Sequence, residues 1–70
     1  MTWSAAYELA LTKRHIAEEE RLRIVQLIRI ADQMRHGRDT AAAEQALRDT
    51  EEYLTVLRGR RAALGALQGY

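Results

Sequence analysis

Thirty-six residues pass before the first glycine, and the chain contains no proline at all. That opening half holds nothing that breaks a helix, and it is rich in the good helix formers Ala, Leu, Glu and Arg. The absence of breakers predicts one helix over residues 4–36, roughly 48 Å long at 1.5 Å per residue. Ser4 or Thr2 is placed to cap its start, and Thr12 is a later alternative.

The first punctuation is Gly37, followed by Arg38, Asp39 and Thr40. A glycine just past the last periodic apolar residue, Met34, is where a helix C-terminus takes a left-handed residue. Asp39 and Thr40 offer side-chain oxygens to the next helix, and Glu44 suits its positive end. A second helix is therefore expected from Ala41 to residue 64. Gly59 weakens it, and beyond Gly65 the chain should loosen into a tail. Two helices this long, joined by a turn over 37–40, must fold back on each other. The expected fold is all-α: one antiparallel helical hairpin in a single domain spanning residues 1–70.

The facing stripes follow from spacing. On the second helix Ala43, Leu47, Thr50, Leu54, Leu57, Arg61 and Leu64 recur at alternating steps of three and four, the coiled-coil interval. On the first, Leu9, Ala10, Ile16, Ala17, Ile24, Leu27, Ile28, Ala31 and Met34 fall within a sector of about 120°. This sector is expected to be its buried face. Lys13 and Glu20 interrupt it, and the hairpin register brings Glu20 near Arg60 and Arg61. An ion pair there would help fix the register.

A further apolar set lies outside those stripes: Tyr7, Leu11, Leu22 and Val25 on the first helix, Tyr53 and Val56 on the second. Scattered surface apolar residues are normal. Two helices cover only one stripe each, however, and this much additional apolar surface is better explained by self-association. These six residues are the expected interface of a homodimer, which would be a four-helix bundle.

Size argues the same way. A 70-residue chain buries only roughly 60% of its unfolded surface, and small scaffolds gain stability from disulfides, metals or oligomerisation. With no cysteine, disulfides and thiolate metal sites are excluded. The lack of cysteine also fits a reducing compartment. Glu8 precedes any basic residue, unlike an export signal. The most apolar run, Leu22 to Ala31, is broken by Arg23, Gln26 and Arg29. A cytoplasmic protein with no membrane segment is expected.

Eleven Lys and Arg against ten Asp and Glu leave a net charge of +1. A dedicated nucleic-acid binder carries a marked basic excess on one face. The only excess here is Arg58, Arg60 and Arg61 near the C-terminus. Those three, with Arg35 and Arg38, define the alternative function, a small nucleic-acid-binding bundle. Within one hairpin the two groups sit at different ends.

His15, Ile16, Ala17 and Glu18, then Glu20 and Arg21, begin a recognisable arrangement. It continues through Gln26, Ile30 and Ala31, through Gly37, Arg38, Asp39 and Thr40, and through Ala43, Glu44, Leu47, Arg48, Glu51, Leu54 and Arg61. The arrangement resembles a group of short uncharacterised bacterial helical-hairpin proteins with the pattern H-[VI]-A-E-x-E-R, a helix, G-x-D-T, then A-E-x-x-L and a second helix. The resemblance spans about positions 15–64. It implies the hairpin and assigns no activity. This chain departs from the group in the strongly apolar Leu22, Ile24, Val25, Leu27 and Ile28, which favours self-association.

No residue set points to catalysis or to a cofactor. His15 with Glu18 and Glu19 shares a helix face, but di-iron bundles use Glu-x-x-His in the opposite order on paired helices. A solvated helix face is the better reading. His36 suits the negative end of the first helix. The expectation is a non-enzymatic structural or interaction protein, a homodimer with an unidentified protein partner in reach, without metal or cofactor.

Overall fold

The computed structural model describes residues 3–68, and it has two elements: α1 (Ala5–Arg35) and α2 (Ala41–Gln68). They pack against each other as an antiparallel hairpin 53 × 20 × 14 Å. The slab is thus a single layer of helices.

Ser4 caps α1, with extended backbone and its Oγ accepting from the Tyr7 N–H at 3.2 Å. Thr2, the alternative cap, lies outside the described residues. At the other end the chain leaves α1 through a left-handed turn. Gly37 has φ +65° and its N–H donates to the Met34 carbonyl at 3.1 Å. The Arg38 N–H reaches back to the Gln33 carbonyl at 2.9 Å. This pair of bonds is the Schellman arrangement, which needs a residue without a Cβ penalty at positive φ. A Cβ added at Gly37 would meet no neighbouring atom, so Gly37→Ala should cost only backbone strain, about 1 kcal/mol. A lowered urea midpoint at fixed protein concentration would register it, and an unchanged midpoint would mean that the turn re-forms another way.

His36 closes the same turn, with Nδ1 2.8 Å from the Asp32 carbonyl. Asp39 Oδ1 accepts from the Ala41 N–H at 3.0 Å and so caps α2. Thr40, expected to share that task, instead turns its hydroxyl to the Glu44 carboxylate at 3.2 Å.

The core lies in the half of the hairpin away from the turn. Leu9, Ile16, Leu54, Leu57 and Leu64 are its buried apolar residues, with Ile16, Leu54 and Leu57 forming one cluster. Thr12 and Thr50 are buried beside them. Their hydroxyls donate to the Glu8 and Ala46 carbonyls one turn back, so neither polar group is stranded.

On α2 the seam runs as its spacing predicts through Ala43, Leu47, Thr50, Leu54, Leu57 and Leu64, while Arg61 stays exposed. The helix does not loosen past Gly65 but continues to Gln68. Leu57 and Leu64, anchored on either side of Gly59, hold the segment helical through the weak position.

On α1 the inward positions differ from those expected. Leu9 and Ile16 face α2, but Ala10, Ala17, Ile24, Leu27, Ile28, Ala31 and Met34 are exposed. The covered positions include Ala5, Leu9, Thr12, Ile16, Glu19, Arg23, Gln26, Ile30 and Gln33, alternating four and three, with Glu8, Leu11 and His15 half-buried at their flank. Starting from Leu9 and Ile16, this interval carries mostly polar residues inward as α1 approaches the turn.

Candidate interaction surface

The turn-proximal half of α1 is therefore inside-out. Arg23, Gln26 and Gln33 face α2, whereas Leu22, Ile24, Val25, Leu27 and Ile28 face away from it. Leu22 and Val25 are 43% and 53% exposed, and Ile28 reaches 64%.

Besides the half-buried Ile30, Ala43 and Leu47, what joins the helices here is polar. Gln26 Nε2 donates to the Ala46 carbonyl at 3.3 Å, and Arg23 Nε meets Glu51 Oε2 at 3.2 Å. Gln26 Oε1 and Gln33 Oε1 are buried without a hydrogen-bond partner. Glu20 finds Arg58 at 3.6 Å rather than the expected Arg60 or Arg61, and Arg60 pairs with Glu8 at 3.1 Å. Half-exposed pairs of this kind contribute little stability. They favour one register of the two helices over its neighbours.

Of the six residues assigned to an interface from sequence, Tyr7, Leu22, Val25, Tyr53 and Val56 are exposed and Leu11 is half-buried. Leu22 and Val25 line a shallow depression of about 90 Å³ with Gln26, Arg29, Ala43 and Ala46. This depression joins the two helices on one side of the slab. Tyr53 lies seven residues beyond Ala46, two helical turns along the same face, and Val56 follows three later. On α1, Tyr7 and Leu11 line a second open depression with Ala10 and Arg14. Positions 7, 11, 22 and 25 fall within a sector of about 60° at 3.6 residues per turn. The six thus share one face.

The second exposed stripe, Ile24, Leu27, Ile28 and Met34, was assigned to the hairpin core by its hydrophobicity. The signal that places it outside is the interval running forward from Leu9 and Ile16.

The arginine groups are not brought together. Arg38 lies in the turn itself and Arg58 stands seventeen residues beyond the first residue of α2, about 26 Å along that helix. Arg58 and Arg60 each face a carboxylate. Among the described residues no group of three or more His, Asp or Glu side chains is arranged to hold a metal ion. No described helix is long and apolar enough to cross a membrane. No protein-family model matches the chain, and no curated protein or solved structure shows significant similarity to it.

Proposed function

We propose that this protein is a non-enzymatic interaction module that works as a homodimer, two hairpins stacking their Tyr7, Leu11, Leu22, Val25, Tyr53 and Val56 faces into a four-helix bundle. The observation that carries this reading is the exposure of Leu22 and Val25 beside Ala43 and Ala46, on the face that also exposes Tyr7, Tyr53 and Val56. α2 covers one side of α1 and leaves Leu22 and Val25 exposed, and contiguous exposed apolar surface marks an interaction site.

Three further facts support a second layer. Domains are built from at least two packed layers around a core, and this slab is 14 Å thick. Its accessible surface is 5394 Å², against about 4,500 Å² for a folded monomer of 8 kDa. The excess is close to the roughly 800 Å² that each partner contributes to a standard interface. Among the described residues, eleven large hydrophobic side chains are exposed and five apolar residues are buried. That ratio is wrong for an independent domain and suits one half of a bundle.

Sedimentation equilibrium tests the proposal directly. The wild-type chain should sediment as a dimer at micromolar concentration, with a melting temperature that rises with concentration. A folded monomer at high micromolar concentration would refute it.

A further inference from the structure

The exposed stripe of α1 carries more than apolar area. Along it, in order, stand Tyr7, Leu11, Arg14, Glu18, Leu22 and Val25. At 100° per residue all six fall within about 80° of the circumference. Counted from the level of Ile16 they sit at −9, −5, −2, +2, +6 and +9. The sequence of characters is apolar, apolar, positive, negative, apolar, apolar. Spacing is nearly unchanged when the stripe is reversed, and charge is inverted.

Arg14 and Glu18 take part in no ion pair among the described residues, as is true also of Lys13, Glu19, Arg21 and Arg29, whereas Glu8, Glu20, Arg23, Glu51, Arg58 and Arg60 pair between the helices. Both are exposed between the apolar pairs Tyr7/Leu11 and Leu22/Val25, with Arg29 beyond the second pair. Within one chain they interrupt that face. Across a two-fold axis they complete each other.

We infer that the second copy lies antiparallel on this stripe, its α1 crossing at the level of Ile16, so that Arg14 of each chain meets Glu18 of the other. The same axis sets Tyr7 against the partner's Val25 and Leu11 against the partner's Leu22, each contact occurring twice as an isologous interface requires. A parallel arrangement would set Arg14 against Arg14 and Glu18 against Glu18, which like-charge repulsion disfavours. The inference rests on the self-association proposed above and adds its direction and register.

The chain has no cysteine of its own, so introduced thiols report proximity cleanly. Leu11→Cys and Leu22→Cys chains, mixed, re-equilibrated and oxidised, should form a disulfide between unlike chains. In the antiparallel register each variant alone holds its two thiols about 15–18 Å apart along the axis, and should cross-link at least tenfold less. Efficient cross-linking of Leu11→Cys with itself would establish the parallel arrangement and overturn the inference.

Charge exchange gives a second reading. Arg14→Glu chains and Glu18→Arg chains should each dimerise at least tenfold more weakly than wild type. Mixed together, they should recover heterodimers of near wild-type affinity, because both cross-chain pairs are then opposite in sign. A dimer indifferent to these changes would overturn the inference while leaving self-association intact, whereas a monomeric wild type would remove both.

Discussion

The double variant Leu22→Glu/Val25→Glu should sediment as a monomer and lose most of its helical circular dichroism at room temperature. Both side chains lie about half exposed on the face proposed to meet a second copy. Hiding a leucine or valine from water stabilises by about 1.5–3 kcal/mol, and in a symmetric dimer each contribution occurs twice. The replacement removes that gain and adds charges that must be desolvated against an apolar partner surface. Both residues lie outside the buried cluster between α1 and α2, so a hairpin stable by itself should stay folded with both changes. If the variant stays as helical and as heat-resistant as wild type, the face is not an interface. Loss of dimer with retention of a folded hairpin would show instead that the single layer is self-sufficient.

Leu54→Ala should destabilise the chain by about 2–5 kcal/mol, the usual cost of truncating a buried leucine and leaving a cavity. Leu54 is only 1% exposed and sits with Ile16 and Leu57 in a cluster of buried residues. Few other buried apolar residues can compensate. The loss is comparable with the whole stability of a small domain, so cooperative thermal unfolding should largely disappear. Leu67→Ala, at an exposed position of the same helix, should shift the midpoint by no more than about 0.5 kcal/mol. Similar melting of the two variants would contradict the packing described for α2.

The elements were legible in the sequence because their signals are local. A run without Gly or Pro, a glycine at the turn and an acid after it specify two helices and their reversal with no knowledge of the partner helix. The inward stripe of α2 was legible too, since Leu47, Leu54, Leu57 and Leu64 admit one spacing. The inward stripe of α1 was not. Its apolar residues are spread around the circumference between Leu22 and Met34, so a mean direction of hydrophobicity points at Ile24, Leu27 and Ile28. The hairpin is aligned instead by Leu9 and Ile16 against the apolar end of α2, and a regular helix then carries Glu19, Arg23, Gln26 and Gln33 inward with them. Tertiary alignment overrode local hydrophobicity. The exposed face was legible as a set of residues left over from two stripes. Gly59 and Gly65 misled the expected end of α2 because propensity ignores the leucines that anchor either side of Gly59.

The position of the core sets the order in which the hairpin can assemble. The best-packed contacts join Ile16 to Leu54 and Leu57, 38 and 41 residues further along the chain. Near the turn the helices meet through Arg23, Gln26 and Glu51, whose exchange of water for one another yields little net stabilisation. A helical hairpin with leucines beside its turn can close progressively, each contact shortening the next loop. Here the fully buried contacts close a loop of about forty residues, at an entropic cost that grows with the logarithm of its length, and only the half-buried Ile30, Ala43 and Leu47 offer apolar contact nearer the turn. The helices should therefore form before they dock, and docking should be the slow step for a topology that otherwise favours rapid folding. Stopped-flow recovery of helical signal ahead of tryptophan-free, core-specific probes at Leu57 would display that order, and simultaneous recovery would contradict it.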